Sequence, residues 1–311
     1  MYLNVIFAQM FNQKRSKLVK NIPLMYLKTI LTFIICFALS NTIDNQAIAQ
    51  EYKIKTIVID AGHGGKDGAT HGVYSKEKDV ALKTALNLGR ALQDSIKDIR
   101  VVYTRETDIF IPLYERINIA NNAKADLFIS IHLNDMPVRV SRVVDYYKKV
   151  KGRSIPVYRT IAAKSTSTKG TETFVSGTGR LGEQDEVIKR ENAAMFLEDN
   201  YQKNYEGFIA NTPENDIMLS LMKQTNRDRS LKFASLLQQE YVSAGRINRG
   251  VQEKSLAVLA RAAMPAVLTE IGFVSNPDEE DYMNSPEGQK EIVDGIIKAI
   301  KNYKRIAEIS F

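Results

Sequence analysis

Three histidines occur in 311 residues, and one of them, His63, stands inside "DAGHGGKDG", residues 60–68. An apolar run ends at Asp60, and the ring that follows is flanked by Gly62, Gly64 and Gly65. Glycines after a strand can cradle a phosphate, but a dinucleotide fingerprint needs its third glycine at position 67, where Asp67 stands. A P-loop needs a hydroxyl after its lysine, and Lys66 is followed by that same aspartate. The remaining chemistry for a glycine-walled histidine is metal ligation, with room for an ion and a bulky substrate to reach the ring.

A metal needs further ligands. His132 ends the apolar stretch "DLFISIHL", residues 126–133. In an open parallel sheet, ligands gather at the carboxyl ends of the strands, so His63 and His132 would emerge at one edge as a metal pair. The third ligand would be a carboxylate or another histidine, and Asp60, Asp67, His71 and Glu77 are the candidates near His63. Asp60, on the strand, suits a hydrogen bond that orients a ligand from behind. Glu77 opens a helix, where it would also complement the helix dipole. His71 sits in the polar stretch "THGVYS" and reads as a surface residue. Glu270 lies in "PAVLTEIG", residues 265–272, where an isolated carboxylate among apolar neighbours is costly unless it serves a site.

The elements that would carry these residues are short β-branched runs, "IKTIVID", "RVVYTR", "DLFISIHL", "TETFVS" and "PAVLTEIG", several apolar on both faces. Between them, "DVALKTALNLGRALQDSI" has apolar residues at 80, 82, 86, 88 and 92, and "PEGQKEIVDGIIKAIKNY" repeats the helical spacing. The alternation predicts an α/β fold: a three-layer α/β/α sandwich with a mostly parallel, twisted central sheet, forming a single catalytic domain over residues 50–311. Two stretches interrupt it. One is a basic insertion, 136–169, with nine Lys or Arg and one acid, Asp145. The other is an insertion at 183–230, acidic at first and then amphipathic.

Residues 1–49 read as an N-terminal extension and signal peptide. "KTILTFIICFALS" is an apolar run behind Lys28, and "AIA" at 47–49 has the small-x-small pattern of a cleavage site. The run from Ile30 to Leu39 is shorter than the ~20 residues a spanning helix needs, so no membrane span is expected after processing. "MYL" occurs at Met1 and again at Met25, which makes Met25 the expected start. The single cysteine, Cys36, lies inside the apolar run, so the exported chain would carry neither disulfide nor thiol chemistry. Beyond residue 49 the chain has 38 basic and 35 acidic residues, which is no nucleic-acid footprint. With no tryptophan, an aromatic-rich carbohydrate-binding module is not expected.

Taken in order, "IVIDAGHGG", "KEKDVAL", "TRETD", "ADLFISIHLN" and "LTEIGFVSN" resemble the zinc-dependent N-acetylmuramoyl-L-alanine amidases of bacterial cell walls, from about Ile54 to the C-terminus. The resemblance implies that His63, Glu77 and His132 hold Zn2+ and that Glu270 is the catalytic carboxylate. It also implies a peptidoglycan substrate, cut between N-acetylmuramic acid and L-alanine, and an address in the periplasm or cell envelope. The family's cysteine or alanine after "SIH" is Leu133 here, a change that touches no ligand. Two histidines and one glutamate leave one position of a tetrahedral zinc open, the ligand set of a catalytic site. The rival readings are a catalytically silent peptidoglycan-binding module and a zinc exopeptidase of related fold. A monomer is expected.

The segment "EVIKRENAAMFLEDNY", projected as one helix, puts Val187, Glu191, Ala194, Glu198 and Tyr201 on one face. Its "REN" element resembles the autoinhibitory helix of the division-associated amidases, in which a glutamate caps the zinc. Glu191 is the candidate plug and Glu198 the alternative. An activator protein that displaces the helix is the implied partner.

Overall fold

The computed structural model describes residues 53–177, 185–205 and 213–309. The expected signal peptide, the Met25 start and Cys36 lie outside the described residues. A six-stranded sheet in the order β2-β1-β3-β8-β6-β7 is built from β1 (Thr56–Ala61), β2 (Arg100–Tyr103), β3 (Leu127–Asn134), β6 (Thr171–Ser176), β7 (Asn248–Lys254) and β8 (Ala266–Phe273). Strands β2, β1, β3 and β8 run parallel; β6 is antiparallel to β8 and parallel to β7. The expected three-layer, mostly parallel α/β fold is therefore present, with one antiparallel junction.

Strand alternation divides the core in two. Ile57, Ile59, Ala61, Ile129, Ile131, Val267 and Ile271 face one side, against helices α1 (Glu77–Ser95), α5 (Pro213–Ser243) and α7 (Pro286–Ile309). Val58, Phe128, Leu268 and Phe174 face the other, against α2 (Leu113–Asn122), α3 (Glu186–Asn192) and the turn Ala257–Leu259. Both faces of the central strands are covered, which is why these runs are almost continuously apolar. Helices α4 (Tyr201–Asn204) and α6 (Pro277–Asn284) complete the helical set among the described residues. None of these helices is long and apolar enough to cross a membrane.

The same two-residue period places the polar residues. Asp60 on β1, Ser130 and His132 on β3, and Glu270 on β8 all fall on the face that carries Val58, Phe128 and Leu268. His132 and Glu270 are direct partners in the β3–β8 register, and Glu270 in turn opposes Glu172 of β6. Three ionisable groups thus stand side by side on adjacent strands.

The structure departs from expectation in three places. Residues 136–169 contain a long β-hairpin, β4 (Val138–Val150) and β5 (Arg153–Lys164), that pairs only with itself. Its two-residue tip, Lys151 and Gly152, has both φ angles positive, at 47° and 79°, the geometry that matches strand twist. Second, the segment projected as one helix is broken. Helix α3 stops at Asn192, a 3-10 turn covers Ala193–Leu197, and α4 starts afresh after Asn200. The break has a tertiary cause: the Asn192 side chain donates to Ser255 O and accepts from Ala257 N, and that pinning ends the regular turn. Third, the boundary expected at 230 falls inside α5, whose Phe233, Leu237 and Tyr241 are core residues.

Candidate active site and metal centre

His63 follows β1 in a loop that two arginines hold by its carbonyls. Arg105 donates to Ala61 O and Gly62 O, at 2.9 and 2.7 Å. Arg116, fully buried on α2, donates to Ala61 O, to His63 O and to Asp60 Oδ1, at 2.7, 2.7 and 2.8 Å. This grip keeps His63 in the left-handed region, φ 58°, a conformation that costs a non-glycine residue free energy and persists only when its surroundings impose it. Gly62 is required for a different reason: a Cβ there would stand 2.5 Å from the His132 ring.

Asp60 does not orient a histidine as expected. Its carboxylate accepts from Arg116, Thr104 and Ser130, and it tethers the β1 end to α2 and to the neighbouring strands. Burial opposes its charge, but Arg116 and the two hydroxyls outweigh that and lower its pKa. The orienting carboxylate is Asp67, whose Oδ2 lies 2.8 Å from His63 Nδ1 and so turns Nε2 inward. His71 is exposed and outside the cluster. If Asp67 sets the ring, Asp67→Ala lowers metal affinity by roughly 10–100-fold, read by competition with a chromogenic chelator. Parent-like affinity would remove that role.

Glu77, the first residue of α1, is completely buried. Its Oε1 lies 3.2 Å from His63 Nε2 and 3.1 Å from His132 Nδ1, while Oε2 accepts from the Thr70 hydroxyl at 2.8 Å. Glu191 of α3 closes the group, with Oε2 3.5 Å from His63 Nε2 and 2.9 Å from His132 Nδ1. The ligand atoms of His63, Glu77, His132 and Glu191 all lie within 4.8 Å of one another. Ligands ~2.0–2.1 Å from a tetrahedral ion sit about 3.3 Å apart, and the carboxylate–imidazole separations of 3.2, 3.5, 3.1 and 2.9 Å lie close to that. His63 Nε2 and Glu191 Oε2 are buried without a hydrogen-bond partner, as donor atoms awaiting a cation would be. Zinc fits this set of two imidazoles and two carboxylates.

The electrostatics point the same way. Burial disfavours a charged His63, yet Glu77, with Asp67 and Glu191, holds its pKa well above the ordinary value. For His132 burial is likewise outweighed, chiefly by Glu191, and its pKa stands at about 9. Burial also opposes the charge on Glu77, but the histidines keep it well below the usual range. Positive charge is what this pocket is built to receive.

Glu270 is fully buried beside the cluster. Burial, reinforced by the charge of Glu191, pushes its pKa up to about 8 despite Arg190. Its Oε1 accepts from Arg190 Nη2 at 3.1 Å, and its Oε2 has no hydrogen-bond partner. Arg190 also donates to Glu191 Oε1 at 2.7 Å and to Asp135 O at 3.2 Å. This arginine, which the sequence reading passed over, bridges Glu191 and Glu270. Its only signal was its place beside Glu191 in "REN". Glu172 was also passed over; it is held by Asn134 and Arg249 and lines a cleft of ≈ 330 Å³ with Asp135, Met136 and Arg190. Glu198, the alternative plug, is not in the cluster: its Oε1 accepts from Leu113 N at the start of α2 and from the Tyr205 hydroxyl.

The family described as N-acetylmuramoyl-L-alanine amidase matches residues 57–302, which spans every residue of this site. The chain belongs to that family. The chain is 28 % identical over 249 residues to N-acetylmuramoyl-L-alanine amidase AmiC of Escherichia coli O6:H1, a match over 79 % of this chain and 52 % of that one. The chain therefore spans about half the length of that relative. Against AmiA of Escherichia coli K12 the chain is 27 % identical over 251 residues, 80 % of this chain and 76 % of AmiA. Among solved structures it superposes on the N-acetylmuramoyl-L-alanine amidase of Clostridium difficile 630 with a TM-score of 0.53 and 25 % identity, over 81 % of this chain and 97 % of the other.

Proposed function

We propose that this amidase hydrolyses the amide bond between N-acetylmuramic acid and the L-alanine of the stem peptide, using one zinc held by His63, Glu77 and His132, with Glu270 as general base. The observation that carries the reading is the convergence of His63 Nε2, Glu77 Oε1 and His132 Nδ1 on one point, with Glu270 in register beside His132. Zinc there supplies a Lewis acid for the scissile carbonyl and for water. Glu270 takes the proton from the attacking water and returns it to the alanine amine as that group leaves. The intact carboxylate and complete ligand set speak against a silent binding module.

Glu191 is the fourth member of the cluster and stands on a different element from the other three. In this reading α3 is a plug: Glu191 fills the position that water and substrate need, and Arg190 occupies the general base at the same time. A partner that binds only the form with α3 withdrawn shifts the population toward it. Export to the cell envelope fits a wall substrate and belongs to the same proposal.

Metal removal tests the reading. The purified protein is expected to hold one zinc per chain by elemental analysis, to lose hydrolysis of purified wall on dialysis against a chelator, and to regain it with zinc. Wall hydrolysis that survives complete loss of metal would overturn it.

A further inference from the structure

The hairpin β4–β5 starts at Val138, shortly after His132, and contributes nothing to the core. None of its strand residues is buried, and it pairs with no other strand. A strand of this length reaches about 40 Å. An element that buries so little is not kept for stability, because an isolated two-stranded hairpin is marginal in water.

Its surface has a definite chemistry. By strand alternation Arg139, Lys148, Arg153 and Arg159 fall on one face and Arg142, Lys149 and Lys164 on the other, with Lys151 at the tip. The one acid of the hairpin, Asp145, is taken by Arg159. Lys164 is held by Asp135 at the root. Among the described residues no carboxylate pairs with Arg139, Arg142, Lys148, Lys149, Lys151 or Arg153. Between the cations stand exposed tyrosines, Tyr146, Tyr147 and Tyr158, and Arg142 lies over the Tyr158 ring at 5.2 Å.

Cations on both faces and along the whole length, interleaved with flat rings, suit a flexible polyanion that can follow the arm. A flat protein interface would depopulate one face of charge. The position selects the polyanion. Asp135 holds Lys164 of the hairpin through its carboxylate and Arg190 of α3 through its carbonyl. Met136 and Pro137, at the hairpin root, line the cleft beside Arg190. The cleft and the hairpin therefore adjoin at this root. Peptidoglycan has the matching charge, in the free carboxylates of its stem peptides, and sugar faces that stack on tyrosine.

We propose that the β4–β5 hairpin is a substrate-holding arm that binds peptidoglycan strands through their stem-peptide carboxylates and delivers them to the cleft at its root. The proposal rests on the amidase reading for the identity of the polymer.

Cosedimentation of the full, zinc-loaded protein with purified, insoluble peptidoglycan tests it, with vesicles of phosphatidylcholine alone and with added phosphatidylglycerol in parallel. The parent is expected to sediment with peptidoglycan at low salt and to be released as salt rises. Combined Lys148→Glu, Lys149→Glu and Lys151→Glu is expected to weaken that binding by roughly tenfold or more. A shortened hairpin, in which Asn-Gly joins Arg142 to Thr160, is expected to do the same; a cooperative melt and a parental zinc content show that each variant is folded. Binding of both variants equal to the parent's would overturn the proposal. So would a parent that binds phosphatidylglycerol vesicles and ignores peptidoglycan. Turnover of a short soluble muramyl peptide by zinc-loaded Glu191→Ala, in which the plug is removed, is read separately: its absence would sink the amidase reading, while the sedimentation result still judges the arm.

Discussion

Glu270→Gln is expected to keep its zinc and to lose roughly 10²–10⁴-fold in turnover of purified wall. The amide preserves the shape of the side chain and can still accept from Arg190, so the β8 end has no reason to move. What disappears is a group able to carry a proton between water and the leaving amine. His63, Glu77 and His132 remain in place, which is why metal content and turnover must separate in this variant. Elemental analysis beside a turnover assay checks it. A variant that loses zinc and activity together would make Glu270 a ligand and would overturn its assignment as the base.

Glu191→Ala is expected to act in the opposite direction, raising basal hydrolysis by between about fivefold and about 150-fold, the usual range for coupling between two states of a protein. Zinc stays, because three ligands remain. The single substitution leaves Arg190 free to keep its contacts with Glu270 and Asp135 O. Combined Arg190→Ala and Glu191→Ala is therefore expected to exceed the single variant, and by more than the sum of separate effects if the two residues act as one unit. Basal activity at or below the parent's, in variants with intact melts and zinc, would rule out the plug.

The parts of this site legible in the sequence were those fixed by short-range pattern. Buried parallel strands read as apolar runs, so the ends that carry His63 and His132, and the unusual carboxylate of Glu270, could be placed on β1, β3 and β8. The choice among Asp60, Asp67, His71 and Glu77 could not be made from spacing, because it depends on how the loop after β1 folds back. Resemblance supplied Glu77. The orienting role expected of Asp60 falls to Asp67, since a buried arginine 56 positions away claims the first and loop closure brings the second onto the ring.

The hairpin was illegible because neither of its faces is buried, so apolar and polar residues alternate only briefly, as in Val138–Ser141, and do not sustain a strand pattern. Strand β7, "NRGVQEK", is a polar edge strand and is silent for a similar reason. The break after α3 is a tertiary effect. Propensity favours continuing past Asn192, and only its bonds to Ser255 and Ala257, more than sixty residues on, end the turn.

Product analysis of a wall digest bears most directly on the reaction itself. Purified peptidoglycan treated with the parent and with Glu191→Ala is expected to release stem peptides of full length whose alanine carries a new free amine, leaving glycan strands with unsubstituted muramic acid. More product is expected from the variant. Peptides shortened from either end, or muropeptides still joined to their sugars, would contradict an amidase acting at this bond.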